Sequence, residues 1–164
     1  MSTQTAVSIF MGSKSDLPVV QAAADTLAEF NISYNMYILS AHRTPEEVVK
    51  TIKESENNGV KVFIAAAGMA AHLAGAIAAQ TIKPVLGIPL AGGDLDGIDA
   101  LLATVQMPKG VPVATFAIGK SGAINAAICA AQIIGTSDDE MAKKLAEYKI
   151  KMHADVLEAN KSIQ

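Results

Sequence analysis

The residues of this chain best suited to chemistry lie in the short segment Ser40–Pro45. It contains His42 and also Arg43, the only arginine among 13 Lys and Arg side chains. An imidazole exchanges protons near neutral pH, and a guanidinium binds phosphate or carboxylate through two parallel hydrogen bonds that lysine cannot reproduce. We therefore interpret His42 as a candidate general acid/base and Arg43 as a candidate anion-binding residue; the alternative is an ordinary surface arginine.

Two further segments have compositions that suit ligand binding. In Gly12–Asp16 (GSKSD) the glycine permits a tight turn, and serine hydroxyls with free amides at a helix start can bind phosphate. Helix capping by Ser15 or Asp16 explains this segment equally well. In Ala65–Gly75 the small residues let the backbone approach a flat ligand, or let a strand and a helix pack closely. His72 is then either a second catalytic candidate or a histidine that orients its loop.

The elements that must position these segments alternate between strands and helices. Short apolar runs predict strands at Val7–Met11, Tyr34–Leu39, Val62–Ala66, Val85–Ile88 and Val113–Ala117. Helices are predicted between them, over about 16–30, 44–57, 70–81 and 121–134. This order, with strands apolar on both faces, indicates a parallel five-stranded sheet covered on both sides. Ligands of such sheets bind beyond the carboxyl ends of the strands, where the three segments lie.

The helix starts carry capping patterns. Thr44 and Glu47, with Pro45 between them, have the spacing of a capping box, and so do Ser137 and Glu140. The connection over 90–110 is rich in glycine and predicts one helix at about Ile98–Thr104.

The last segment, 137–164, is predicted to be a long helix with a narrow apolar stripe. The stripe consists of Met141, Leu145, Tyr148, Met152 and Val156, at spacings of three or four. Such a helix packs either on its own domain or on a neighbouring subunit. We expect the second, because the five-stranded core is complete without it.

Composition excludes several classes of protein. Hydrophobic residues make up 51% of the chain and charged residues only 18%, which favours surface buried between subunits. A net charge of −3 predicts no nucleic-acid or membrane partner. The start of the chain lacks the features of a signal peptide and no run is long enough to span a membrane, so we expect a cytoplasmic protein.

Other ligand classes and a role for the single cysteine are also disfavoured. No glycines are spaced as in a dinucleotide-binding fingerprint, and no metal-ligand pattern occurs. The single cysteine, Cys129, cannot form an internal disulfide and lies in an apolar run, which favours a buried structural thiol.

The three segments together resemble one family: class I PurE, the catalytic subunits of phosphoribosylaminoimidazole carboxylase. The resemblance is carried, in order along the chain, by Met11–Asp16, Ser40–Pro45, Ala67–Leu73, Pro84–Pro89, Val105–Thr115, Ala117–Gly119 and Asn125–Ala127. One departure is Ala74, where many members have proline; it should alter the stiffness of the loop and leave the chemistry unchanged.

The resemblance implies a fold, an assembly and a reaction. The fold would be a single three-layer αβα domain over 1–164, flavodoxin-like or Rossmann-like, assembled as a homo-octamer without metal or other cofactor. The substrate would be a small ribonucleotide. The mutase branch of the family converts N5-carboxyaminoimidazole ribonucleotide to 4-carboxy-5-aminoimidazole ribonucleotide, whereas a second branch carboxylates aminoimidazole ribonucleotide with CO2. The segment Ala67–Leu73 resembles the mutase branch.

The resemblance also implies roles for individual residues. His42 would be the general acid/base, and Ser13, Asp16 and Arg43 would hold the ribose 5-phosphate, with Ser15 nearby. The remaining substrate-binding residues would be Ser40, Ala41, Ala67, Gly68, Met69, Ala70, Ala71, His72 and Leu73. A rival hypothesis is a non-enzymatic phosphate- or nucleotide-binding regulator with a flavodoxin-like fold, which would use Gly12–Asp16 and would not need His42.

Overall fold

The five predicted strands form one parallel sheet. The structure, a computed structural model, describes residues 5–163. The strands are β1 (Val7–Met11), β2 (Tyr34–Ile38), β3 (Val62–Gly68), β4 (Val85–Leu90) and β5 (Ala114–Thr115). They pair in the order β2-β1-β3-β4-β5, which is the strand order of flavodoxin-like folds. The predicted fold class, an α/β protein with a five-stranded parallel sheet and a long C-terminal helix, is confirmed.

Helices connect the strands and cover both faces of the sheet. They are α1 (Leu17–Glu29), α2 (Pro45–Asn57), α3 (Leu73–Ala78), α4 (Ile98–Val105), α5 (Lys120–Gly135) and α6 (Asp139–Lys161). Two single 3-10 turns, Lys14–Asp16 and Gly93–Leu95, precede α1 and α4. Among residues 5–163, none of the helices combines the length and the hydropathy needed to cross a membrane.

Side chains of each strand alternate between two cores. On one face Val7, Ile9 and Met11 of β1 pack with α1 and α5 in the larger cluster. On the other face Phe10 packs with residues of α2 and α3. Both faces are therefore buried, as expected for a parallel sheet covered by crossover helices. The buried Ser8 hydroxyl donates a hydrogen bond to Ser55 Oγ of α2 at 3.0 Å, so this polar pair is satisfied.

Two predicted elements are at least twice as long as the observed ones. The predicted helix over 70–81 is reduced to α3, because Met69 has a left-handed backbone (φ 54°) and the chain turns tightly through 69–72 before the helix begins. The strand predicted at 113–117 pairs with β4 only at Ala114 and Thr115. Beyond it the Phe116 amide still donates to the Gly87 carbonyl, outside the strand.

Helix α6 packs on its own chain for only half of its length. Its N-cap is Asp138, whose carboxylate accepts from the Met141 amide, so the predicted cap by Ser137 is wrong. Met141 is buried, and the Tyr148 ring lies 5.4 Å from the Phe30 ring. Met152 and Val156, from the same apolar stripe, are 51% and 69% exposed. The first half of the stripe therefore contacts the chain's own core and the second half does not.

Candidate active site

A cavity of about 640 Å³ lies at the carboxyl ends of the first four strands. The chain runs from β1 outward to β2 and then returns to β3 on the other side, so a crevice opens between the loops after β1 and β3. Every predicted site residue except Ala71 lines this cavity. Ala71, in the same loop as Ala70 and His72, is buried instead. The volume is within the usual range for a small-molecule pocket.

His42 and His72 meet inside this cavity. His42 Nε2 lies 2.8 Å from His72 Nδ1, and the two rings stand nearly perpendicular. One nitrogen must carry the proton and the other accept it, so the rings share one hydrogen bond. Both side chains are exposed, and a ligand in the cavity can reach them. The two histidines that the sequence left as rival candidates are therefore neighbours.

The loop carrying His42 is held by hydrogen bonds from both of its ends. Ser40 Oγ accepts from the amides of His42 and Arg43, each at 3.3 Å. Thr44 Oγ1 accepts from the Ser40 amide at 2.9 Å and donates to the Ser40 carbonyl at 3.1 Å. Thr44 makes no side-chain bond to the start of α2, so the predicted capping box with Glu47 is wrong. Its hydroxyl is already engaged within the loop.

Arg43 links the second loop to the first. Its Nη2 donates to the Gly12 carbonyl at 2.7 Å. A guanidinium has five N–H groups, so this contact leaves others free for an anion. The arginine is thereby held at the wall of the cavity beside the serines of the first loop.

The first loop is closed by a reciprocal capping box. The Ser13 amide donates to Asp16 Oδ2 at 2.9 Å, while Ser13 Oγ accepts from the amide and the hydroxyl of Ser15. Ser13 is thus the N-cap of the 3-10 turn, and Asp16 completes the box as its third residue. Asp16 also stands at the N-cap position of α1, as the capping alternative supposed, but its side chain makes no cap hydrogen bond to that helix. The box orients two serine hydroxyls at the cavity wall, in the place where the sequence suggested a phosphate site.

A fourth loop contributes residues that the sequence reasoning missed. Ala91 and Gly92, just after β4, also line the cavity. Gly93, with φ 66°, lies beside Met69, where an added Cβ would stand in ordinary van der Waals contact, 3.6 Å from the Met69 side chain. The sequence could have predicted this loop as part of the site. Ligands of parallel sheets bind beyond the carboxyl ends of the strands, and this applies to β4 as well as to β1, β2 and β3.

Cys129 lies away from this cavity. Its side chain packs against the larger core cluster, and burial raises the pKa of the thiol. A raised pKa keeps the sulfur protonated and poorly nucleophilic at neutral pH. No group of three or more His, Cys, Asp or Glu side chains within residues 5–163 is arranged to hold a metal ion.

The sequence and fold agree with those of known proteins. The family model described as AIR carboxylase matches residues 6–155. The chain belongs to the AIR carboxylase family. The resemblance seen in the three loops is therefore confirmed, and it extends over nearly the whole chain.

Several known proteins are about half identical to this chain. The N5-carboxyaminoimidazole ribonucleotide mutase of Escherichia coli (strain K12) is 47% identical over 152 residues, covering 93% of this chain and 90% of the relative. The protein of that name from Thermotoga maritima is 51% identical, covering 93% and 88%. That of Bacillus subtilis (strain 168) is 46% identical, covering 96% and 97%.

A solved structure has the same fold as this chain. The crystal structure of Treponema denticola PurE superposes with a TM-score of 0.88 and is 29% identical, with 97% of this chain and 98% of that chain covered. The fold of this chain, with its five-stranded sheet, is therefore shared with that PurE over nearly the whole of both chains.

Proposed function

We propose that this chain is an N5-carboxyaminoimidazole ribonucleotide mutase of purine biosynthesis, which forms 4-carboxy-5-aminoimidazole ribonucleotide. Relatives of that name are 46% to 51% identical over nearly its whole length. The observation that carries the proposal is the His42–His72 pair, which lies in one cavity with Arg43 and the two serines of the first loop. A proton-transfer group and an anion site are thus combined at one place.

The phosphate end of the substrate is assigned to the first two loops. Ser13 and Ser15 present hydroxyls there, and Arg43 presents its free N–H groups. Asp16 acts at the same end by holding the Ser13 amide, so that the loop is ordered before the phosphate arrives. Order of this kind lowers the entropy lost on binding.

The carboxyl transfer requires a proton to move in step with it. When the N5–carboxyl bond breaks, CO2 leaves and N5 takes up a proton. The electron-rich ring then attacks CO2 through C4, and the C4 proton must depart. One imidazole can donate the first proton and accept the second, which restores its starting state. We assign this role to His42 and the role of its hydrogen-bond partner to His72.

The small-residue loop Ala67–Leu73 is assigned to the carboxyl group. The exposed Met69 and Ala70 and the partly exposed Gly68 bring the backbone to the cavity wall. Close walls keep CO2 beside C4 between the two steps. CO2 and the ring therefore react while both are bound, and CO2 need not be captured from solution.

We further propose that the chain functions as a homo-octamer and that α6 contributes to subunit packing. Two apolar surfaces support an assembly: the distal half of α6, with Ile150, Val156 and Leu157, and the stripe Leu95, Ile98, Leu102 and Val105 at α4, all roughly half exposed or more. Exposed apolar patches of this kind mark protein interfaces. The number eight rests on the family resemblance. A cytoplasmic location is part of the proposal, because a charged phosphate ester does not cross a bilayer freely.

Labelled substrate tests the reaction. N5-carboxyaminoimidazole ribonucleotide with its carboxyl carbon labelled is supplied in unlabelled bicarbonate buffer, and the product is analysed by mass spectrometry. We expect most of the label at C4. Label lost to solvent, with turnover of aminoimidazole ribonucleotide rising with dissolved CO2, would instead assign the carboxylase reaction that the family description names. A ligand bound but returned unchanged would indicate the regulator.

A further inference from the structure

Thr44 immediately precedes α2, where a threonine hydroxyl ordinarily caps the helix. Here it makes no bond to the helix amides. Its Oγ1 instead accepts from the Ser40 amide at 2.9 Å and donates to the Ser40 carbonyl at 3.1 Å, and its own amide donates to the same carbonyl at 2.9 Å. Three hydrogen bonds therefore join the two ends of a five-residue loop.

The start of α2 is stabilised by other means. Pro45, at the first helical position, has no amide hydrogen to satisfy and keeps Thr44 out of the helical conformation, at φ −137° and ψ 50°. Glu46 and Glu47 place two carboxylates in the first turn, where they interact favourably with the helix dipole. The Thr44 hydroxyl is thus released from capping and is available to the loop.

The loop closed by Thr44 carries the histidine. Ser40 Oγ accepts from the amides of His42 and Arg43, so the position of Ser40 decides where both residues stand. Arg43 has a second attachment at the Gly12 carbonyl, a main-chain group of the neighbouring loop. Among residues 5–163, the His42 ring has one hydrogen-bond partner, the side chain of His72. Loosening the loop should therefore displace His42 more than Arg43.

We propose that Thr44 is a positioning residue for the reaction, which holds His42 at the distance and angle needed for proton transfer. This inference rests on the proposed mutase function. Thr44 is not among the residues that line the cavity; it acts through Ser40 and the backbone of His42. Displacement of a catalytic group by about 1 Å can lower a rate on the order of 100-fold. A hydroxyl that fixes the position of His42 can therefore affect the rate of the reaction.

Three variants test the proposal, with kcat for isomer interconversion and the Kd for 4-carboxy-5-aminoimidazole ribonucleotide as readouts. Thr44→Val keeps the shape and removes the hydroxyl; we expect kcat to fall by about 10- to 100-fold while Kd changes by less than about 3-fold, or under ~0.7 kcal/mol. Thr44→Ser retains the hydroxyl and should restore kcat to within about 3-fold of wild type. Thr26→Val is the control: it removes a buried hydroxyl bonded to the Ala22 carbonyl, far from the cavity, and should leave kcat unchanged.

Several results would overturn the inference. These are an unchanged kcat in Thr44→Val, an equal loss in kcat and affinity, or a Thr44→Ser variant as slow as Thr44→Val. If Thr44→Val does not fold by circular dichroism, Thr44→Ala takes its place with the same expectations. A wild-type protein that binds the ribonucleotide without converting it would refute the proposed function itself. An active wild type with an equally active Thr44→Val would refute only the role of Thr44.

Discussion

At the scale of single residues, the site depends on side chains that come from different loops and touch one another. His42 contacts His72, and Arg43 contacts the Gly12 carbonyl. Neither contact joins residues close in the sequence. A contact with another loop therefore fixes the orientation of each side chain. Such contacts can order a site on exposed loops before substrate binds.

Replacement of His42 by asparagine tests the acid/base role. The amide keeps a polar group of similar size but cannot carry a proton, so His42→Asn should fold, bind the ribonucleotide and lose on the order of 10²–10⁴ in turnover. The decline in absorbance as 4-carboxy-5-aminoimidazole ribonucleotide is consumed measures the rate. His153→Asn, on the exposed face of α6, is the matched control. Near-normal turnover of His42→Asn would transfer the role to His72.

Replacement of Arg43 by lysine tests the anion site. Lysine keeps the charge, but its ammonium group lacks the planar fork of N–H groups with which a guanidinium can bond the Gly12 carbonyl and an anion at once. We expect Arg43→Lys to weaken ribonucleotide binding by roughly 1.5–3 kcal/mol, measured by calorimetry. The dephosphorylated nucleoside should bind both proteins equally weakly. If the wild type bound nucleoside and nucleotide with the same affinity, no phosphate site would exist here.

At the scale of elements, the site is positioned by the close approach of strands and helices beneath it. Met11 and Ile38, the last residues of β1 and β2, pair with each other, and Met11 also pairs with Ala66, two residues before the end of β3. The three loops therefore lie at the same end of the sheet. Helix α5 packs so closely against the turn before it that a Cβ on Gly122 would stand 1.7 Å from the Ala117 carbonyl oxygen. Only glycine fits there.

Gly122→Ala should therefore be strongly destabilising, although alanine is favoured over glycine in an ordinary helix by about 1 kcal/mol. The obstacle is backbone, which cannot move aside as a side chain would. We expect a loss of at least about 3 kcal/mol in the free energy of unfolding, measured with urea. Gly92→Ala, where the added methyl meets nothing within 4 Å, is the control and should change stability by less than about 0.5 kcal/mol. Equal stabilities would show that α5 can shift away from Ala117.

At the scale of the whole molecule, the apolar side chains of α6 form two groups, one packed on the chain's own core and one exposed. Met141, Leu145 and Tyr148 pack on the larger core cluster. Ile150, Val156 and Leu157 are 69%, 69% and 51% exposed. The first part stabilises the subunit, and the second is available to a neighbour.

Removal of residues 150–164 separates the two roles of α6. The shortened chain keeps the buried part of the helix and should fold, but it should form smaller assemblies than the full chain, as measured by light scattering. Val156→Lys should act in the same direction, because a charge placed in an apolar interface is costly. Lys151→Gln, on the same exposed stretch, should leave the assembly unchanged. An unchanged assembly in the shortened chain would contradict a role for the distal half.

The sequence by itself determined the elements and the composition of the site. Alternation of apolar runs with helical segments predicted all five strands and the sheet type, because period and burial are encoded locally. The residues of Ser40–Pro45 and Gly12–Asp16 predicted two of the loops that line the candidate site. Family membership also followed from these motifs.

The tertiary structure decided which of these groups meet. Strand order places β1 between β2 and β3, so loops far apart in sequence share an edge and His42 reaches His72. The loop after β4 entered the site for the same reason. The caps predicted at Thr44 and Ser137 are wrong. A hydroxyl or carboxylate can bond any of several backbone groups, and the distances to those groups depend on how the whole chain is folded. A local pattern states what a side chain can bond, and only the packed fold determines what lies within 3 Å of it.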